Sequence, residues 1–267
     1  MQPSEEEILA SLAHYRASVL QRNHAAFQRF VQHAETAEPE SGGGEWSPSD
    51  IFEARQEFIY RLLNVSQPEN LDPSVQINVP ADVVTKWDAL VRAFALDGVY
   101  IGNNAQRAAY KGGIEAGLGR VSVEVEFPAD FDVLMGQVGS LQGHGWPQYH
   151  EEDQQVHFWN GLGESVDEVA DRVYGPDDDL ASKAGLDDWE VKAGWECGQG
   201  PETTCFIVYC RQEETGKGWA WRYVAEMGQY GEEVFDNVVE LLQWYETLYI
   251  PPLDDQLDVF MGEVFKN

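Results

Sequence analysis

The chain has 267 residues, 43% of them hydrophobic, which is enough for one large domain or two modest ones with a substantial core. Its net charge of −30 is unsuited to nucleic acid, whose binding needs basic patches. No apolar run approaches the roughly 18 residues of a membrane span, and the acidic stretch of residues 1–7 is unlike a signal peptide. We therefore expect a protein of the cytoplasm or nucleus that binds neither nucleic acid nor membrane.

The first half of the chain has the periodicity of helices. Ser4 and Glu7 form a capping box that opens an amphipathic helix over residues 1–35. A proline and three consecutive glycines then indicate a flexible linker over residues 36–47. Apolar residues at helical spacing return over residues 48–118, which we predict to be a helical region.

The stretch from Gly98 to Gly119 is dense in glycine and has two interpretations. It contains neither G-x-G-x-x-G nor the P-loop pattern, although Arg107 and Lys111 could meet an anion there. The alternative, which we favour, is a short helix from about Asn104 to Tyr110 flanked by turns.

The second half of the chain predicts a sheet packed by helices, so that the fold class is α+β. Residues 204–211 form an uninterrupted apolar run typical of a buried strand, and a second strand with alternating aromatic residues follows a glycine-containing loop. The period becomes helical over residues 232–249. We expect an α/β region over residues 119–250, with a mixed or antiparallel sheet, and an amphipathic tail over residues 251–267.

The second half also carries most of the charge. Residues 129–267 contain 29 acidic and 7 basic residues, a net charge of −22, against −8 for residues 1–128. The most compact acidic run is Asp177, Asp178 and Asp179. Such a surface attracts a basic partner and speeds its encounter, and the alternative is that it serves solubility alone.

Three aromatic residues of the second predicted strand are candidates for the contact itself. Trp219, Trp221 and Tyr223 alternate along the strand and share one face of it. If part of that face is exposed among carboxylates, it forms an aromatic, acid-rimmed binding surface. The alternative is that all three belong to the core.

No pattern of residues indicates catalysis or metal binding. His144, His150 and His157 are spaced by six and seven residues, which matches no metal-binding motif. Cys197, in a glycine-rich turn, is the best candidate for a nucleophile, but no motif surrounds it. We predict no catalytic residue, metal or cofactor. The alternative is an intracellular enzyme with a small-molecule site at residues 98–119 or at His144–His157.

The three cysteines are predicted to be free thiols in a reducing compartment. Three residues cannot all pair with one another, and Cys205 and Cys210 lie five apart on one predicted strand, where they point to opposite faces. Buried, unpaired cysteines are common in proteins of reducing compartments.

Residues 120–250 resemble the SUKH superfamily, which includes fungal regulators of cell-wall synthesis and bacterial immunity proteins. The likeness lies in a proline-led helix, a glycine turn into a central strand, and a closing helix: Phe127–Phe131, Trp195 with Gly198 and Gly200 before Cys205–Tyr209, and Glu233 with Phe235 through Tyr245. Gly200-Pro201-Glu202 departs from the family's acidic-glycine pattern. The resemblance implies an α/β binding module without catalysis, of regulatory or immunity type.

Together these observations predict a non-enzymatic, acidic protein–protein interaction module that binds a basic partner. Its expected binding residues are three aromatics and three acids: Trp219, Trp221, Tyr223, Asp177, Asp178 and Asp179. The second hypothesis is the intracellular enzyme, and the third is an acidic regulator that docks through its N-terminal helix.

Overall fold

The first helix begins where the capping box predicts. Glu7 N donates to Ser4 Oγ at 3.3 Å, and Ser4 N donates to Glu7 Oε2 at 2.8 Å, so the two residues satisfy each other's free groups.

The computed structural model describes residues 2–39, 46–63, 65–121, 125–141, 158–159, 164–200, 203–228, 231–247 and 264–265.

Helices account for most of the first half of the described chain and recur between the strands of the second half. They are α1 (Glu5–Thr36), α2 (Pro48–Leu62), α3 (Asp82–Thr85), α4 (Trp87–Phe94), α5 (Asn104–Arg120), α6 (Ala129–Gln137), α7 (Val166–Ala170), α8 (Leu180–Lys183) and α9 (Val238–Thr247). No helix among the described residues is long and apolar enough to cross a membrane.

The strands among the described residues form two antiparallel sheets, which confirms the predicted α+β class. They are β1 (Val99–Tyr100), β2 (Ser140–Leu141), β3 (Val173–Tyr174), β4 (Glu190–Gly200), β5 (Thr203–Gln212), β6 (Lys217–Glu226) and β7 (Glu232–Phe235). β1 pairs with β2, and the larger sheet has the order β3-β4-β5-β6-β7. The predicted hairpin is therefore β5 and β6, and its first strand lies at the centre of the sheet.

The prediction of one helix over residues 232–249 is wrong at its start. Glu232–Phe235 is strand β7, paired with β6, and helix α9 begins only at Val238. The Oδ1 atom of Asn237 accepts hydrogen bonds from Val239 N at 3.0 Å and Glu240 N at 3.1 Å. This side-chain cap fixes the start of α9 and leaves the preceding residues free to pair with β6.

Helix α5 is longer than the predicted helix of residues 104–110, and its glycines explain why. A Cβ atom added to Gly113 would lie 2.6 Å from Val169 Cβ, and one added to Gly117 would lie 2.6 Å from Val173 Cβ. The two glycines lie four residues apart, on one face of the helix. They allow α5 to approach α7 and β3 closely, so they serve packing between helices rather than a turn.

The chain forms two compact units, each built from segments that are distant in sequence. Unit 1 comprises Met1–Tyr15, Val99–Gly143 and Gln155–Leu248, and unit 2 comprises Arg16–Gly98, His144–Gln154 and Tyr249–Asn267. The core of unit 2 lies among α1, α2, α3 and α4 and contains Phe27, Phe30, Phe58, Ile59 and Leu90, all at most 2% exposed.

The five-stranded sheet of unit 1 is covered on both faces. On one face, which we call the α8 face, Phe206 and Val208 of β5 pack against Leu180, Ala184 and Leu186 in and just after α8. The other face, which we call the α5 face, carries Trp195. Its Nε1 donates to the hydroxyl of Tyr110 on α5 at 3.1 Å. Alternate residues of the strands therefore enter two separate cores.

Candidate binding surface on the central sheet

Two of the three predicted binding aromatics lie inside the α5-face core. Trp221 is 7% exposed, and its Nε1 donates to the carbonyl oxygen of Glu126 at 2.7 Å. Tyr223 is fully buried, and its hydroxyl donates to Asp130 Oδ1 at 2.8 Å. Burial raises the pKa of Tyr223 most, and the neighbouring carboxylate adds to the effect. Tyr223 thus links the sheet to helix α6, and Trp221 links it to Glu126, just before that helix. Neither side chain is available to a partner.

Trp219, at the open end of the same face, is half-buried and is in contact with cations of the chain itself. Its ring stacks on Tyr209, with centroids 5.6 Å apart. The Nζ atom of Lys192 lies 4.1 Å from the Trp219 centroid, and the guanidinium of Arg211 lies 5.2 Å from it. The ring is therefore bordered by two bases, where an acidic rim was expected.

A matching arrangement occurs around Trp189 on the α8 face. Its ring lies under the guanidinium of Arg222 at 5.0 Å and the ammonium of Lys217 at 5.7 Å. Asp236 Oδ1 forms ion pairs with both bases, each at 3.0 Å. Arg222 is 5% exposed and also donates to the carbonyl oxygen of Cys210 at 2.8 Å. This second Trp likewise has bases of the chain over its ring.

Aromatic rings thus engage most of the few bases of the acidic half. Five of the seven bases in residues 129–267 lie over a ring: Lys183 over Tyr174, Lys192 and Arg211 over Trp219, and Lys217 and Arg222 over Trp189. Cation–π attraction holds these groups near the sheet. Since this half has 29 acids and 7 bases, many of its carboxylates have no cationic neighbour among the described residues.

The predicted acidic run is exposed, but it does not join the predicted aromatics. Asp177, Asp178 and Asp179 form the turn before α8, and Asp178 Oδ2 accepts the backbone N–H of Gly175 at 2.6 Å. Asp179 has a φ of +57°, the left-handed conformation that Asp tolerates better than most residues. Since α8 covers the face opposite to Trp219, the two predicted halves of the site lie on opposite faces of the sheet.

The β6–β7 hairpin creates an acidic group that the sequence did not reveal. The strand register places Glu226 of β6 directly opposite Glu232 of β7. A Cβ atom added to Gly185, just after α8, would lie 3.2 Å from Glu232 Cβ and 3.6 Å from Glu226 Cγ. Asp187 and Asp188 follow two and three residues later and are exposed.

We call this group the acidic edge and define it as Asp187, Asp188, Glu226 and Glu232. No cation of the described residues forms an ion pair with any of these four side chains. The signal that could have found it is the pair of glutamates on either side of the Gly228–Gly231 turn, which a hairpin would bring face to face.

The cysteine that sequence analysis considered as a nucleophile lies deep in the core. Cys197 is fully buried, and desolvation raises its pKa well above the ordinary value, with the neighbouring Cys205 adding to the effect. Cys205 and Cys210 are also buried and unpaired, as predicted. Burial raises the pKa of Cys210 to about 11, so that this thiol too is protonated at neutral pH.

The other two alternatives for an enzyme are affected differently. The glycine-dense stretch is largely helix α5, where Lys111 pairs with Asp132 at 2.7 Å and Arg107 bonds to Asn104 at 2.5 Å. Residues 104–119 of the stretch are therefore helix instead of loop, and both bases have partners within the chain. His144, His150 and His157 lie outside the described residues. Within the described part of the chain, no group of three or more metal-ligating side chains converges.

No protein-family model matches the chain, and no curated protein or solved structure matches it either. The resemblance of residues 120–250 to the SUKH superfamily therefore stays a prediction from the sequence.

Proposed function

We propose that the chain is a non-enzymatic protein–protein interaction module and that its acidic edge binds a basic partner protein. The observation that carries the proposal is the direct opposition of Glu226 and Glu232 in the β6–β7 hairpin, without a cation of the described residues to offset it. Like charges directly opposite each other cost about 0.2–1 kcal/mol. A lysine or arginine of a partner would remove this cost on binding. Relief of the repulsion would therefore add to the affinity for a basic partner.

The distribution of bases supports the same conclusion. The chain has cations close by, but Lys217 and Arg222 lie over Trp189 and pair with Asp236, and Lys183 lies over Tyr174. The acidic edge is left with unneutralised charge as a result. Charge of one sign on a surface steers an oppositely charged protein towards it and raises the association rate.

The exposed run Asp177–Asp179, at the other end of α8, has a supporting role in this proposal. These carboxylates add to the field that guides the partner and need not touch it. Trp219 lies on the opposite face of the sheet and is no part of the proposed contact. The resemblance to the SUKH superfamily agrees with a binding module of regulatory or immunity type.

The test uses the full chain as bait in a native lysate, followed by binding kinetics with the purified partner. The edge variant carries Asp187→Asn, Glu226→Gln and Glu232→Gln. A control variant carries the same charge change at three exposed acids elsewhere, Glu35→Gln, Asp88→Asn and Glu115→Gln. We expect wild type and control to retain a basic protein that the edge variant loses.

Salt dependence provides the second readout. The association rate should fall steeply with ionic strength, because the Debye length shrinks from about 10 Å at 0.1 M to about 3 Å at 1 M. Replacing Asp177–Asp179 by asparagine should slow association and leave dissociation nearly unchanged. Equal retention by the edge variant and wild type, or an association rate that ignores salt, would contradict the proposal.

A further inference from the structure

A cleft in unit 2 combines aromatic walls with a rim of carboxylates. Its volume is about 180 Å³, and its lining residues are Trp46, Asp50, Glu53, Ala54, Glu57, Phe58, Arg61, Val264 and Phe265. Six of these belong to helix α2 at intervals of three and four residues, so they form one stripe along the helix. The stripe supplies both the carboxylates and part of the apolar floor.

The floor and one wall of the cleft are apolar. Phe58 is 2% exposed and Val264 is 5% exposed, so both are fixed in the core of unit 2. The rings of Trp46 and Phe265 meet edge to face, with centroids 5.2 Å apart, and both remain half-buried. Aromatic faces of this kind attract a cation and also pack against an aliphatic chain.

The rim carries more negative than positive charge. Its carboxylates are Asp50, Glu53 and Glu57, and its base is Arg61, which leaves a net charge of −2. Asp50 accepts the backbone N–H of Ser47 at 2.9 Å, and this hydrogen bond is the main reason that its pKa is lowered. Glu53 and Glu57 are exposed, and neither forms an ion pair with a cation of the described residues.

The spacing along α2 brings the carboxylates of Glu53 and Glu57 close enough to share one ligand. Glu53 and Glu57 lie four residues apart, so their Cβ atoms are about 5–6 Å from each other on the helix surface. Two like charges at this spacing destabilise an isolated helix, and a cation between them reverses the effect. An ammonium group has three donors that can reach both carboxylates at once.

The volume of the cleft suits a single small group. Pockets for drug-sized molecules and cofactors usually have about 300–1,000 Å³, whereas a cavity of about 150 Å³ holds a molecule of the size of benzene. The volume of the cleft, about 180 Å³, is close to that of the benzene-sized cavity. An aliphatic side chain that ends in a charge fits this volume, with its stem on the rings and its charge at the rim.

We propose that this cleft binds an alkylammonium group, namely a lysine side chain presented by a peptide. Its methylene stem would lie against Phe58, Trp46 and Phe265, and its ammonium would donate to Glu53 and Glu57. Arginine suits the site less, because its planar guanidinium favours bidentate pairing with one carboxylate. The cleft belongs to unit 2, so the proposal stands independently of the acidic edge of unit 1.

The test is a titration of the full chain with N-acetyl-lysine methylamide, followed through the indole N–H resonance of Trp46 by NMR. A Trp46→Phe variant identifies that resonance among those of the nine Trp. We expect saturable shifts of the Trp46 signal. The norleucine derivative, which has the stem without the charge, should bind at least tenfold more weakly, because it cannot reach the carboxylates.

The matched variants separate the site from the general charge of the protein. Glu53→Gln with Glu57→Gln should weaken binding of the lysine derivative at least tenfold. Glu69→Gln with Asp88→Asn, two exposed acids elsewhere in unit 2, should leave it within twofold. Circular dichroism and thermal unfolding check that both double variants are folded.

Several outcomes would overturn the proposal. They are the absence of a saturable shift at Trp46, equal binding of the norleucine derivative, equal loss of binding in the Glu69→Gln/Asp88→Asn control, and tighter binding of the arginine derivative. Each result is read on this cleft alone. Failure here and loss of the basic partner at the acidic edge can therefore be distinguished.

Discussion

The interior of unit 1 and its acidic edge use the same carboxylate group in opposite ways. Asp130 is 4% exposed and accepts three hydrogen bonds, from Tyr223 Oη at 2.8 Å, Val238 N at 3.0 Å and Phe131 N at 3.0 Å. Glu226 and Glu232 face each other on the adjacent strands β6 and β7. They lie only a few residues from Tyr223 and Val238.

The difference lies in what surrounds the charge. A buried carboxylate is tolerated only when donors satisfy it, and Asp130 therefore joins α6, β6 and the start of α9 into one structure. An exposed carboxylate is satisfied by water and can remain without a partner at small cost. Removing the first should damage the fold, whereas removing the second should damage binding alone.

The largest effect is expected from Asp130→Ala. The change leaves the hydroxyl of Tyr223 and the backbone N–H of Val238 buried without an acceptor, and each such group costs about 1–3 kcal/mol. We expect a loss of about 3 kcal/mol in the free energy of unfolding, measured by urea denaturation. Tyr223→Phe is the control, since it removes a single donor and should cost about 1 kcal/mol. Equal effects of the two variants would show that the bond from Tyr223 accounts for the whole effect and that the N–H of Val238 does not need the carboxylate.

Gly117→Ala tests how closely the interior is packed. The added Cβ would lie 2.6 Å from Val173 Cβ and 2.8 Å from the carbonyl oxygen of Ala170, so α5 must shift. We expect a loss of about 2 kcal/mol, the usual range for overpacking a core. On the same helix, a Cβ atom at Gly112 would meet nothing within 4 Å. Gly112→Ala should therefore gain up to about 1 kcal/mol from helix propensity.

Asp236 lies between the two situations, because it is half-exposed but paired with bases. Burial raises its pKa, but the hydrogen bonds and charges of Lys217 and Arg222 outweigh this and lower it below the ordinary value of 3.8. A lowered pKa in the folded state means that the stabilisation is present above that ordinary value. It is lost as the pH falls through the lower folded value.

Asp236→Asn should therefore destabilise the protein near neutral pH by about 1 kcal/mol or less, because solvent screens the ion pairs. The difference from wild type should shrink as the pH falls below 3.8. Urea denaturation at a series of pH values measures it. A difference that stayed constant through the acid range would show that the carboxylate acts through its shape instead of its charge.

The smallest effect is expected at the acidic edge itself. Glu232→Gln removes one of two opposed charges and should stabilise the fold by about 0.2–1 kcal/mol, while weakening the binding of a basic partner. Thermal unfolding at low salt measures the gain, which should disappear at about 1 M salt because the repulsion is screened. Destabilisation by this change would place Glu232 with Asp130 among the structural carboxylates.

Local sequence patterns predicted the structure correctly wherever neighbouring residues alone determine the conformation. The capping box of Ser4 and Glu7, the start of α2 after Ser47, and the alternation that defines the β5–β6 hairpin all depend on neighbours within a few residues. The free, buried thiols also followed from the sequence, because two cysteines on opposite faces of one strand cannot pair.

The prediction failed where distant residues decide the conformation. Residues Glu232–Phe235 fit a helical period, yet pairing with β6 makes them a strand. The glycines of α5 suggested turns, yet Gly113 and Gly117 permit contact with Val169 and Val173, more than fifty residues away. In both cases, packing between elements outweighs a weak local preference.

The sequence by itself determined the class of fold, the excess of negative charge and the residue types that a binding surface would use. Only the tertiary structure decided which of them are available. Trp221 and Tyr223 share a face with Trp219, but among the described residues the first two are buried and Trp219 is half-buried. The opposition of Glu226 and Glu232 comes from strand register, and the cleft beside α2 comes from residues about two hundred positions apart. Exposure and proximity depend on contacts between distant segments, which no local pattern in the chain specifies.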